Sequence, residues 1–168
     1  MLDLDLTVPR HKFQDPEITL SGKNRARIAL NNPTTLWFNT GTICNISCAN
    51  CYIKSSPTND TLAHITAKEV LSFLCQLKYR KWPVYEIGFT GGEPFINPEI
   101  LKMVEYCLKA NYEVLILTNA MQPMMRKSVK TKLIQLNSVY PGKLTLRISL
   151  DHFSETRHNH EPVSYTHL

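Results

Sequence analysis

The sequence predicts an α/β fold with a parallel sheet in βαβαβαβ order, on three observations. From Thr35 onward, apolar runs of strand character alternate with stretches of helical periodicity. One run, "EVLILT", is apolar along nearly its whole length, as a parallel strand buried on both faces must be. The ends of four successive strands carry "CNISCANCY", "TGGEP", "TNA" and "SLD", residues that an ordinary turn does not demand. Such an order, with right-handed crossovers, suits the first half of a (β/α) barrel or a doubly wound sheet. In both, ligands bind at the C-terminal ends of the strands.

The elements follow in order. Residues 1–33 form a lead-in, in which "EITLSGKNRARIAL" is a candidate hairpin turning at Gly22. "TLWFNT" is aromatic and β-branched and reads as the first strand. Thr66 and Glu69 form a capping box that opens a helix with the apolar stripe Val70, Phe73, Leu74 and Leu77. "VYEIGFT" is the second strand. Asn97 and Pro98 cap a second helix with Ile100, Val104, Cys107 and Leu108 on one face. "EVLILT" is the third strand, and Pro123 then opens a third helix with the stripe Met125, Val129, Leu133 and Leu136. In the fourth strand, "KLTLRISL", Leu144, Leu146, Ile148 and Leu150 alternate with Thr145, Arg147 and Ser149. The first set is expected under the helices and the second toward the interior.

Composition narrows the function classes. A chain of 168 residues, 43% hydrophobic and 20% charged, has the make-up of a folded globular protein. The acidic start "MLDLDLTVPR" lacks a signal sequence, and no apolar run could cross a bilayer, so the expectation is cytoplasmic with no membrane partner. The net charge of +5 is modest, and Arg126, Lys127, Lys130 and Lys132 share one helical stretch. A solvated helix face explains them, so nucleic acid is not the expected partner; a nucleic-acid binder would show steeply salt-dependent binding. The last six residues, "VSYTHL", match one reading frame of a transposase adapter end used in sequencing libraries. They are read as adapter read-through, with the gene cut near Pro162 and the core spanning residues 34–162.

Five cysteines is an odd count, and three of them crowd into residues 44–51. That pattern argues against a disulfide framework and for reduced thiolates. Cys44, Cys48 and Cys51 can surround one cluster; a [4Fe–4S] cube would keep one iron free of protein ligands. A small molecule bearing an amine and a carboxylate could chelate that iron. A structural zinc site is the alternative, with a fourth ligand from Cys75, Cys107 or His64, although no second ligand hook is visible. In "GGEP", Gly91 and Gly92 let backbone approach a ligand, and Glu93 adds a charge suited to a cationic amine. The same residues would also make a tight turn into the Asn97 cap. Thr118, Asn119, Ser149 and Asp151 are polar groups on the same edge, able to hold a carboxylate or a ribose.

"CNISCANCY" resembles the C-x3-C-x2-C signature of radical S-adenosylmethionine (SAM) enzymes. "TGGEP", "LTNA" and "ISLD" resemble the motifs that follow it in that family. The resemblance covers residues 35–151 and is nearest the broad group of molybdenum cofactor biosynthesis protein A and the peptide-modifying enzymes with SPASM-type C-terminal domains. It implies a partial (β/α) barrel of the radical SAM type, with two further strands and any auxiliary domain beyond the fourth strand. It implies that Cys44, Cys48 and Cys51 hold a [4Fe–4S] cluster with SAM on the fourth iron. Glu93 and the Gly91–Gly92 backbone would meet the SAM amino group, Tyr52 the adenine, and Thr118, Asn119 and Ser149 the carboxylate or ribose. The implied reaction is reductive cleavage of SAM to a 5′-deoxyadenosyl radical that takes hydrogen from a small-molecule or peptide substrate. A donor such as flavodoxin or ferredoxin would supply the electron. Arg147 would face the substrate from inside the barrel; Asp151, His152, Arg157 and His158 follow the fourth strand and could line that region, although a solvated loop is the reading preferred for them. Two positions depart from the family pattern: Asn50 precedes the third cysteine in place of an aromatic residue, and Ala120 replaces a glycine. The runner-up reading is a non-catalytic iron–sulfur or zinc-binding module.

Overall fold

The computed structural model describes residues 15–27, 29–48 and 51–150. The expectations for residue 50, residues 151–158 and the tail 163–168 lie outside them. The chain divides into two compact units, Met1–Asn31 and Asn32–Leu168. In the first, Ile18 and Asn24 form an antiparallel bridge around Gly22, whose φ of +76° supplies the turn.

The second unit holds four parallel strands in the order β1-β2-β3-β4: β1 Thr35–Asn39, β2 Glu86–Thr90, β3 Glu113–Thr118 and β4 Leu144–Ile148. They alternate with helices α1 Ala67–Arg80, α2 Ile100–Lys109, the short α3 Gln122–Met125 and α4 Lys127–Val139. Alternate strand residues Phe38, Ile87, Phe89, Val114 and Ile116 are buried against Val70, Leu74, Val104, Leu108, Val129 and Leu133 of the helices. One face of the sheet is therefore covered by helices. On the other face the register aligns Trp37, Gly88, Leu115 and Thr145 in one row. A Cβ on Gly88 would lie 2.3 Å from the Trp37 ring, so this glycine lets the indole lie across β2.

The helix signals act as their chemistry requires, with four corrections. At α1 the capping box is complete: Thr66 accepts from the Glu69 N–H, and the Glu69 carboxylate accepts from the Thr66 N–H at 2.8 Å. Phe73 does not join the α1 stripe and is 44% exposed. The buried line runs through Ala67, Val70, Leu74 and Leu77, and Phe73 sits at its flank, leaning on the Phe38 ring of β1. The α2 N-cap is Glu99, with no side-chain cap bond. Asn97 serves the preceding turn instead, accepting from the Glu99 N–H at 2.9 Å while its amide donates to the carbonyls of Thr40 and Ile65. The predicted third helix is two helices, because Arg126 is extended (φ −53°, ψ 134°) and donates to the Pro123 and Phe95 carbonyls. The break puts Met125 out of phase with Val129, Leu133 and Leu136, leaves it exposed, and takes Arg126 out of the basic helix face. Leu144 and Leu146 of β4 pack against the core, whereas Ile148 and, past the end of the strand, Leu150 are exposed, since β4 is an edge strand among the described residues. No described helix is long and apolar enough to cross a membrane.

Candidate functional site

Beyond β1, the backbone runs along the end of β2 before the cysteines begin. The Gly92 N–H donates to the Gly41 carbonyl at 2.8 Å, and the Glu93 N–H donates to the Ile43 carbonyl at 3.0 Å. The paired glycines make this approach possible. A Cβ on Gly92 would lie 2.1 Å from the Ile43 oxygen, and one on Gly91, at φ +144°, would lie 2.7 Å from the Gly41 oxygen. The close approach is thus to the backbone leading into Cys44. On the far side, Cys44 N donates to the Ser56 carbonyl at 3.1 Å, and Ile43 and Ser56 form a parallel bridge. Cys44 is buried; Cys48 and Cys51 are half-buried.

Glu93 is only 2% exposed. Its carboxylate accepts from the Thr118 hydroxyl at 2.9 Å, the Asn119 N–H at 2.9 Å and the Phe95 N–H at 3.1 Å. Burial pushes its pKa above the ordinary value, and these three donors pull it back. Thr118 is buried, with its hydroxyl also accepting from Ala120 N at 3.0 Å. Ala120 keeps the left-handed turn (φ +55°) that a glycine would adopt freely, at a cost of about 1 kcal/mol. The Asn119 amide donates to Asn45 Oδ1 at 3.0 Å and to Cys44 Sγ at 3.8 Å. Ser149 donates its N–H to the Thr118 carbonyl at 2.9 Å, which places this exposed serine beside the end of β3. The structure therefore gathers Cys44, Gly91, Gly92, Glu93, Thr118, Asn119 and Ser149 on one edge of the sheet. Tyr52 stands 80% exposed, apart from this hydrogen-bond network.

Sequence reasoning missed Asn45, which joins the cysteine loop to Asn119 and donates to Met121 Sδ at 3.7 Å. It also missed Ser55, whose N–H donates to Cys51 Sγ at 3.3 Å. The signal was present: both are short polar residues inside or just after the cysteine run.

Residues 38–167 match the Radical SAM superfamily. The chain belongs to that superfamily. Its members use a [4Fe–4S] cluster and SAM. The antilisterial bacteriocin subtilosin biosynthesis protein AlbA of Bacillus subtilis (strain 168) is 30% identical over 142 residues, 84% of this chain and 29% of AlbA. SuiB of Streptococcus suis, solved with S-adenosylmethionine bound, shares the fold with a TM-score of 0.61 and 20% identity, over 76% of this chain and 27% of SuiB. SuiB bound to precursor peptide SuiA gives a TM-score of 0.60 and 21% identity, over 76% of this chain and 26% of SuiB. The chain thus spans less than a third of the length of these relatives.

The residues present fit an iron–sulfur cluster. Three thiols lie on one loop, and two of them already receive an N–H donor, Cys44 from Asn119 and Cys51 from Ser55. Among the described residues the Ser55 hydroxyl is buried without a hydrogen-bond partner. Burial, and then the negative charges of Glu93 and Cys48, hold the Cys44 thiol above its ordinary pKa, so a thiolate there calls for a compensating positive charge. Among the described residues no three His, Cys, Asp or Glu groups, Cys44, Cys48 and Cys51 included, converge on one metal ion; a cube would instead spread the three cysteines over three irons. Among the described residues the zinc alternative also gains no fourth ligand. Cys107 is fully buried in the core with its pKa pushed up to about 12 and Cys75 is exposed on α1; His64 donates Nδ1–H to the Thr40 carbonyl at 2.9 Å, a bond that leaves its Nε2 open.

Proposed function

We propose that this chain forms the cluster- and SAM-binding part of a radical SAM enzyme that modifies a peptide. The observation that carries the reading is the stitching of the cysteine loop to its neighbours. Gly41 and Ile43 are bonded to the end of β2, and Asn45 to the end of β3. A loop fixed in this way keeps three thiols beside the polar rim. Cys44, Cys48 and Cys51 would hold the [4Fe–4S] cluster, leaving one iron for the amine and carboxylate of SAM. Gly91 and Gly92 would offer backbone groups to SAM, with Thr118, Asn119 and Ser149 alongside, and Tyr52 would lie free to cover the adenine. Glu93 would act on the amino group chiefly as a fixed negative charge, because its oxygens are already occupied by internal donors. When bound, the cluster and SAM together supply hydrogen abstraction from an unreactive C–H bond. The protein's share is to bind, orient and keep water out.

A peptide substrate is favoured by two relatives: AlbA serves bacteriocin biosynthesis, and SuiB was captured with a precursor peptide. A reduced flavodoxin or ferredoxin would supply the electron, in the cytoplasm. The test is anaerobic reconstitution followed by electron paramagnetic resonance of the reduced protein with and without SAM. A [4Fe–4S]⁺ signal that shifts when SAM is added is the expected result. A cluster signal indifferent to SAM would leave only an iron–sulfur module, and stoichiometric zinc without iron would overturn the reading.

A further inference from the structure

The Asn119 side chain is committed within the protein. Its Oδ1 accepts from the Met121 N–H at 3.0 Å, which fixes the amide so that its NH2 faces the cysteine loop. That NH2 has two hydrogens and two acceptors, Asn45 Oδ1 at 3.0 Å and Cys44 Sγ at 3.8 Å. The backbone N–H of the same residue donates to Glu93 Oε2 at 2.9 Å. Glu93 is itself immobilised by the Thr118 hydroxyl and the Phe95 N–H. A continuous chain of contacts therefore runs from the "GGE" turn through Asn119 to the sulfur of the first cysteine.

We infer that Asn119 is a positioning residue for Cys44: held by Glu93 and Met121, its amide seats the cysteine loop and gives the Cys44 sulfur an N–H donor that sets the reduction potential of a cluster bound there. Hydrogen bonds to cluster sulfurs stabilise the reduced, more negative state and raise the potential. The role differs from the SAM contact expected for Asn119 and rests on the proposed binding of a cluster by Cys44, Cys48 and Cys51. Asn45 is the receiving group on the loop, so Asn119 acts on both the place of the sulfur and its electronics.

Two readouts on Asn119→Ala test it. In cluster-free protein, alkylation of each cysteine is followed by peptide mapping, with fully buried Cys107 as the internal marker of an intact fold. Cys44 alkylation rises about tenfold, the scale of one lost hydrogen bond, while Cys107 stays protected. In reconstituted protein with wild-type iron and sulfide content, the midpoint potential falls by about 59 mV, the value of a tenfold change in a one-electron equilibrium. Should Asn119→Ala expose Cys107, Asn119→Leu takes its place, since it keeps the side-chain bulk, adds no charge and removes both amide hydrogens. A folded variant whose Cys44 reactivity is unmoved, or whose intact cluster keeps its potential, overturns the inference. If the wild-type protein takes up no cluster, the functional reading and the potential fall together, and alkylation still decides whether Asn119 holds Cys44.

Discussion

Gly92→Ala tests the docking of the cysteine loop directly. An ideal Cβ at this position lies 2.1 Å from the Ile43 oxygen, 2.5 Å from the Ile43 carbonyl carbon and 2.9 Å from the Thr42 oxygen. All three obstacles are backbone atoms, so no side-chain rotation relieves them. The Ile43–Cys44 backbone must retreat by more than about 1 Å to reach an ordinary contact of roughly 3.5 Å. That retreat breaks the bonds Gly92 N to Gly41 O and Glu93 N to Ile43 O, now 2.8 and 3.0 Å. At about 1 kcal/mol net for each bond, and more where a buried group is left unpaired, the loss is roughly 2–4 kcal/mol. Because Cys44 follows Ile43, cluster loading falls as well. Urea denaturation gives the first quantity, and iron and sulfide content after reconstitution gives the second. Gly142→Ala is the control: its φ is +72° with nothing within 4 Å of the added carbon, so only the backbone cost of about 1 kcal/mol applies. A Gly92→Ala protein with the stability and iron content of wild type would refute the docking argument.

Three further outcomes are expected. Thr66→Ala removes the capping box of α1 and lowers stability by about 1 kcal/mol in thermal or urea melts, with Thr66→Ser recovering most of it. The pKa of Glu93 is raised in the fold, so its share of stability is present below the unfolded value near 4.5 and is lost as pH rises through the folded value. The stability of wild type relative to Glu93→Gln therefore falls from about pH 4.5 toward neutrality, and a difference that stays flat with pH would contradict the burial argument. Cys75→Ala and Cys107→Ala each retain wild-type iron content by colorimetric assay, whereas Cys44→Ala, Cys48→Ala and Cys51→Ala each lose it; loss of metal from either of the first two variants would restore the four-ligand reading.

Much of the fold was legible because it depends on local periodicity. "EVLILT" had to be a strand with apolar side chains on both faces, and Leu115 is indeed buried on the face away from the helices. The Thr66–Glu69 box lies within one turn, so its geometry follows from helix stereochemistry alone. Misplacements arose where a distant group competed with the local pattern. Arg126 breaks the predicted third helix because the carbonyls of Pro123 and Phe95 draw its guanidinium, and Phe95 is 31 positions away in the chain. Asn97 sits two residues ahead of the Glu99 cap, with its Oδ1 on the Glu99 N–H and its Nδ2 drawn to the distant carbonyls of Thr40 and Ile65.

The same division holds at the site. By itself the sequence determined the residue types and their order: three thiols on one loop, a paired glycine and an acid at the next strand end, and polar groups at the two after that. Short spacing makes the three cysteines one unit whatever the rest of the chain does, and the strand order of a parallel fold puts every one of these motifs on the same edge. Which atoms meet there was a matter for tertiary structure. Glycine in a motif signals a close approach without saying to what, and here the partners of Gly91 and Gly92 are the backbone oxygens of Gly41 and Ile43. A carboxylate in a motif signals charge without saying whether it is free; Glu93 is buried and tied by three donors, one from its own turn and two from the end of β3. Burial and hydrogen-bond pairing depend on groups brought together from residues 40 to 150, and no local pattern encodes them.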